Sequence, residues 1–422
     1  MKRPIHFSYN FHPVGQGLFA SGAVYEHHQP SWVFSWVYDC GSSSGKRFVE
    51  RELQRLVDTN APRKRIDLLT LSHFDRDHIS GVCDLLRQFA VDALLLPYMP
   101  LGQRLQIAFE EGIDPDDALT GFFVNPVAFL LAIQGVEIRR ILFVPPSGNE
   151  GPPPDEGEPT PEGPDQRKDG PDLDFETGKP DDPREYNELA ENTGTTSVEW
   201  LRSGARLALR SFWEFIPYND DAAAEAPLAW SNRVDHERAE LIAAKSTDAR
   251  KEVLRRLAAL YDSLFGRGSE QRNSISLFLY GGPIYPGWRA AILGPLSEPI
   301  LKRIVDHPFL AYPGFPGKLS CSVLYTGDGY LDSRERLQRL VTFLSPSRIQ
   351  KIGAFQVMHH GAASNWHHSV AGAIRPKFSI FCSDPDHKRL GHPHASVLRD
   401  FWSFGPLQVD KERFIHVPGI LL

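Results

Sequence analysis

A chain of 422 residues, 41% of them apolar, can bury a sizeable core in one large domain or two ordinary ones. Its net charge of −7 argues against a surface that binds nucleic acid broadly and without specificity, and no apolar run is long enough to cross a bilayer. The start, Met1 to Phe7, lacks the apolar stretch of a signal peptide, and Cys40, Cys83, Cys321 and Cys382 are scattered without a CxxC pair, so the chain reads as a cytoplasmic protein with reduced thiols.

Val33 to Tyr38 reads as a strand and Arg47 to Val57 as an amphipathic helix. Ile66 to Leu71 predicts a buried strand, Val82 to Phe89 a helix and Ala93 to Leu96 another strand. The stretch 145–194 is rich in Pro, Gly, Glu and Asp and nearly free of aliphatic residues, so it reads as a disordered acidic insertion. Strands are expected at Ala208 to Ile216 and Ile275 to Tyr280, with a helical insertion over 235–266 between them. Further strands are expected at Val323 to Thr326, Ala354 to Met358 and Phe378 to Cys382, and helices at Ser333 to Leu344 and Ala395 to Trp402. Strands alternating with helices over the whole length indicate an α/β fold with covered sheets in one domain.

The chemistry concentrates in the run from Leu69 to Gly81. A hydrophobic strand ends, and His73, Asp75, Asp77 and His78 follow within six positions. Imidazole and carboxylate together suit zinc, manganese or iron, and a loop leaving a strand can turn all four inward. A polar loop holding histidines by chance is the competing reading, and the donor density disfavours it.

His-x-Asp-x-Asp-His after a buried strand resembles the His-x-His-x-Asp-His signature of the metallo-β-lactamase superfamily. Val14-Gly15-Gln16-Gly17 and Tyr38-Asp39-Cys40-Gly41 resemble its opening hairpin and first acidic motif, and Thr326-Gly327-Asp328 resembles the strand ending in its bridging aspartate. With His359-His360-Gly361, Gly391-His392-Pro393 and Asn273 to Leu277, the set is most similar to the hydrolase domain of ComEC-type DNA-uptake proteins and its soluble relatives. The fold this implies is a four-layer αββα sandwich with the metals at one edge of the paired sheets.

The resemblance implies one ion held by Asp77, His78 and His392 and a second held by His73 and Asp75, with Asp328 bridging them. Asp39 would order the metal loop from behind. Of His359 and His360, one would ligate the ion beside His73 and Asp75 and the other would give a proton to the leaving group; which does which stays open. Asp77 and this pair are therefore the candidate catalytic residues, and Lys388 and Arg389 the candidate substrate contacts. Two departures stand out: Asp75 replaces a usual histidine, which favours manganese or weakens that site, and no Gly-His precedes Asp328.

The implied activity is hydrolysis by water that one or two divalent ions activate, zinc first and manganese as the alternative. A phosphodiesterase, specifically a nuclease, is the leading expectation, and a hydrolase of a lactone, thioester or cyclic nucleotide is the alternative. Soluble relatives of this branch resemble antiviral defence components, which implies an effector beside a regulatory protein or protease. The acidic insertion then reads first as an inert spacer, and otherwise as a polyanion mimic in a phosphate-binding cleft or an exposed cleavage site.

Overall fold

The computed structural model describes residues 4–26, 29–60, 63–110, 112–114, 117, 119–148, 173–180, 183–209, 212–220, 228–244, 247–265, 276–284, 290–292, 320–387 and 391–421. Among them, two mixed sheets carry the architecture. From edge to edge, the first runs β11 (Ala290–Ile292), β16 (Ile415–Leu421), β1 (Ile5–Phe11), β2 (Phe19–Glu26), β3 (Gln29–Cys40), β4 (Arg65–Thr70), β5 (Ala90–Pro97), β6 (Ile138–Val144) and β7 (Ser197–Trp200). The second runs β15 (Pro406–Val409), β14 (Phe378–Cys382), β13 (Ile352–Gln356), β12 (Ser322–Tyr325), β10 (Leu277–Pro283), β9 (Trp213–Asn219) and β8 (Leu207–Leu209).

Both sheets share one plan. Strands β11, β16, β1, β2 and β3 pair antiparallel, and β3 to β7 pair parallel. In the second sheet, β8, β9, β10 and β12 pair antiparallel, and β12 to β15 pair parallel. Parallel neighbours need long crossovers, and helices at Lys46–Thr59, Val82–Gln88 and Arg334–Leu344 supply them.

The inner faces of the sheets share one core. Phe7, Tyr9 and Trp36 from the first sheet meet Trp213, Phe215 and Tyr325 from the second, all fully or almost fully buried. Val37, Leu69 and Leu94 point to the other side of the first sheet, against Val49, Leu53 and Leu85 of its helices. Ile216, Leu324 and Phe355 do the same on the second sheet, against Leu337, Leu340 and Val370. Period-two alternation along the strands thus gives four layers, helix, sheet, sheet, helix. No helix among the described residues is long and apolar enough to cross a membrane.

Three expectations change in detail. Ala208 to Ile216 is not one strand: β8 and β9 pair antiparallel, because an aliphatic and an aromatic run adjoin there without a Gly or Pro to mark the break. The helical region is two helices, Leu228–Ala243 and Thr247–Phe265, sharing a small core of Trp230, Val234, Leu254 and Leu257 with Leu101 and Leu105. Within 145–194, residues 149–172, 181 and 182 lie outside the described ones, but Leu173 enters the main core and helix Pro183–Leu189 is packed in place. Glu185 on that helix is buried against Arg104 at 2.7 Å, and Leu189 is buried beside it. A few apolar anchors and one buried ion pair order this part, although its average composition resembles a disordered segment.

Candidate metal centre

Most of the chemistry-bearing residues lie at or just beyond the C-terminal end of a strand in a parallel pair, where ligands collect in α/β sheets. Asp39 closes β3; His73 and Asp75 leave β4, and Asp77 and His78 sit on the short helix Arg76–Ile79 that follows. Asp328 follows β12, and His359 and His360 follow β13. Phe74 anchors the first loop, buried edge-on against Phe122 with ring centres 4.7 Å apart.

Gly41 fixes how deep that loop sits. A methyl group there would stand 2.5 Å from the His78 carbonyl carbon and 2.6 Å from that of Asp77. Gly41→Ala must therefore push Asp77 and His78 outward. We expect a stability loss of about 1–3 kcal/mol in urea unfolding, the range for overpacking, together with weaker manganese binding by titration.

The hydrogen bonds fix which ring nitrogen of each histidine carries the proton. The Asp39 carboxylate accepts the Ser72 N–H at 2.7 Å, the Ser72 hydroxyl at 2.6 Å and His78 Nδ1–H at 2.8 Å. Because the Ser72 hydroxyl proton goes to Asp39, its oxygen must accept His73 Nδ1–H, at 2.8 Å. His360 Nδ1 donates to the Cys382 carbonyl at 2.5 Å. Asn365 Nδ2 donates to the Asp328 carbonyl at 2.8 Å, which turns Asn365 Oδ1 toward His359 Nδ1 at 2.7 Å. All four rings thus carry hydrogen on Nδ1, so Nε2 is the nitrogen each can offer a metal once its own proton is displaced.

Those Nε2 atoms converge on carboxylates. His78 Nε2 lies 3.1 Å from Asp328 Oδ1, and His360 Nε2 lies 3.2 Å from Asp77 Oδ2 and 3.7 Å from Asp328 Oδ1. On the other side, His73 Nε2 lies 3.4 Å from Asp75 Oδ2 and 3.9 Å from Asp328 Oδ2, with His359 Nε2 3.5 Å from the same oxygen. Asp77, His78, Asp328 and His360 form a group whose donor atoms lie within 4.8 Å of one another, and Asp39, His73 and His78 form a second.

His359 and His360 reach this arrangement through two consecutive left-handed backbones, φ 44° and 57°. Each costs about 1–3 kcal/mol in a residue other than glycine and persists only where its surroundings hold it. Here the Gly327 carbonyl accepts the His359 N–H at 3.0 Å, and Gln356 grips the Thr326 and Gly327 N–H groups, each at 2.8 Å.

Charge completes the picture. Burial pulls the His78 imidazolium down, but Asp328 and Asp39 together outweigh it and hold the ring well above its ordinary 6.5. His360 and His73 are likewise lowered by burial and raised on balance by carboxylates, Asp328 and Asp77 for the first and Asp75 and Asp328 for the second. Burial opposes ionisation of Asp77, yet His360 and His78 bring it to about 2. His392 differs: burial, then repulsion from His360 and His359, lowers it to about 3.

The sign of the pH dependence follows. Raised imidazoles stabilise the metal-free fold fully below pH 6.5 and lose that contribution as pH climbs through their raised values. A metal must displace those protons. Its affinity therefore rises with pH, about tenfold per unit for each proton released, up to the raised values. Calorimetry in buffers of different ionisation heat should detect proton release when manganese binds at pH 7.

The donor set fits a divalent ion. His73 Nε2, His78 Nε2, Asp75 Oδ1 and Asp328 Oδ1 are enclosed and have no hydrogen-bond partner among the described residues. Bonds of about 2.0–2.2 Å at tetrahedral angles would put ligand atoms roughly 3.3–3.6 Å apart, close to the spacings seen. No family model and no curated protein matches this chain. The metal reading therefore stands on the geometry.

Of the open histidine pair, the buried His360 lies in the group with Asp77, while His359 is 19% exposed and faces Asp328 Oδ2. His392 is a neighbour of that group, its ring centre 6.2 Å from that of His360. Lys388 and Arg389 lie outside the described residues, as do Asn273 to Ile275. Ser72, Gln356, Asn365 and Gln16, all buried at the site, went unnoticed in the sequence. Gln16 lies inside Val14-Gly15-Gln16-Gly17 and Ser72 inside the Leu69 to Gly81 run, and these positions were the available signal.

Proposed function

We propose that this chain is a metal-dependent hydrolase of the metallo-β-lactamase type and that its substrate is a phosphodiester, nucleic acid before others. The single observation that carries the reading is the convergence of His73, His78 and His360 Nε2 with Asp75 and Asp77 around Asp328, with enclosed ligand-type atoms that have no hydrogen-bond partner among the described residues. Asp77, His78, His360 and Asp328 would hold one ion, and His73, Asp75 and Asp328 a second. Bound there, divalent ions supply Lewis acidity toward a phosphoryl oxygen and lower the pKa of water.

The protein's own groups do the rest. Asp39, Ser72, Asn365 and the Cys382 carbonyl lock each ring so that Nε2 faces the centre. The partly exposed His359 has Nδ1–H committed to Asn365, so any proton it passes to a leaving group moves at Nε2. The two carboxylate-bearing sides, and the motif resemblance to ComEC-type hydrolases, support phosphoryl over acyl substrates.

The test is metal analysis of purified protein, followed by DNA and RNA cleavage with added manganese or zinc. Cleavage should be lost in Asp77→Asn. A metal-saturated protein that leaves both polymers intact would contradict the nuclease reading, and salt-independent turnover of a lactone would favour a small-molecule hydrolase.

A further inference from the structure

The two histidines at the edge of the centre carry the opposite tautomer from the four within it. His394 Nδ1 accepts the Ala363 backbone N–H at 2.9 Å, so its neutral ring keeps the proton on Nε2. His392 repeats the pattern: its Nδ1 faces Gln16 Nε2 at 3.4 Å, and Gln16 is oriented because its Oε1 accepts the Asp384 N–H at 3.4 Å. Neither Nε2–H has an acceptor among the described residues.

Position agrees with this chemistry. The His392 and His394 rings meet edge-on with centres 4.9 Å apart, and His392 stands 5.7 Å from His359 by the same measure. The His394 N–H donates to the Gly361 carbonyl at 3.0 Å, tying this loop to the turn that carries His359 and His360. The centre itself holds Asp75, Asp77 and Asp328, which repel an anionic substrate until metal offsets them. Two N–H groups at its edge would draw an anionic oxygen in.

We infer that His392 and His394 form a neutral donor pair that binds a phosphoryl oxygen of the substrate beside the centre and that neither ligates metal. The inference rests on the hydrolase reading above and adds the site's substrate-positioning groups. A ring that accepts at Nδ1 has its proton on Nε2, so it cannot offer that nitrogen to a metal while it keeps the Nδ1 contact.

The experiment uses the full chain loaded with manganese, inorganic phosphate as the probe in titration calorimetry, and manganese content by equilibrium dialysis. His392→Ala and His394→Ala should keep the wild-type manganese content and bind phosphate about tenfold more weakly each, as expected for one lost charge-assisted hydrogen bond. His394→Gln, which can place an amide N–H near the lost Nε2–H, should recover most of the affinity and guards against misfolding of the alanine variant. Loss of manganese from either alanine variant would make that histidine a ligand and overturn the inference. So would phosphate affinity within twofold of wild type in both, or no phosphate binding by manganese-loaded wild type. A wild type that takes up no manganese would instead overturn the hydrolase reading, and this inference with it.

Discussion

Asp328→Asn should lower manganese affinity and diester hydrolysis by more than about 100-fold while leaving the fold intact. The figure follows from position. Residues that only orient metal ligands are worth about 10–100-fold, whereas Asp328 faces His78 at 3.1 Å and His360 at 3.7 Å through one oxygen and His359 and His73 through the other. Removing its charge therefore weakens both sides of the centre at once. The backbone around it is held independently, by Gln356 on the Thr326 and Gly327 N–H groups and by Asn365 on its own carbonyl, so asparagine can occupy the same place. The side chain is 14% exposed but its Oδ1 is enclosed, so losing the contacts to the buried imidazoles should cost the metal-free protein about 1–3 kcal/mol without abolishing the fold. Circular dichroism and urea unfolding check the fold; hydrolysis within tenfold of wild type would contradict the proposed place of Asp328 between the two sides of the centre.

The second large effect is expected at Asp39, which touches no substrate. Its φ of 55° lies in the left-handed region, which asparagine tolerates better than alanine does. Three donors converge on its carboxylate, and it is fully buried. Asp39→Asn replaces one acceptor oxygen by an NH2 group that must face a donor. We expect about 1–3 kcal/mol less stability from the unmatched buried group and metal affinity lower by about 10–100-fold, since His78 is no longer held with hydrogen on Nδ1. Asp39→Ala leaves all three donors unmatched and adds backbone strain, so its stability loss should exceed that of Asp39→Asn. Nitrogen-15 shifts of the His78 ring would show the tautomer directly; an unchanged tautomer and unchanged affinity in Asp39→Asn would contradict the orienting role.

The layered α/β plan was legible because buried parallel strands announce themselves as unbroken apolar runs, as at Ile66 to Leu71, with amphipathic helices between them. The His73 to His78 run was legible for a different reason: four ligand-type side chains directly after such a strand have few other uses. The roles of His359 and His360 were not. Adjacent residues in a regular strand or helix point in predictable directions, but two left-handed backbones in succession do not follow either period. Gln356, Asn365 and Ser72 escaped notice because amides and hydroxyls are common and act here on backbone groups or through other side chains. The packed part of the acidic stretch was hidden by its average: Leu173, Glu185 and Leu189 hold it at single points, and composition does not register such anchors.

The central claim is that divalent metal binds around Asp328. Anomalous diffraction from crystals grown with manganese, or with zinc, tests it most directly. The account predicts an ion bounded by Asp77, His78, His360 and Asp328, and a second beside His73 and Asp75 when manganese is in excess. Diffraction at millimolar metal with no ion among these residues would contradict it.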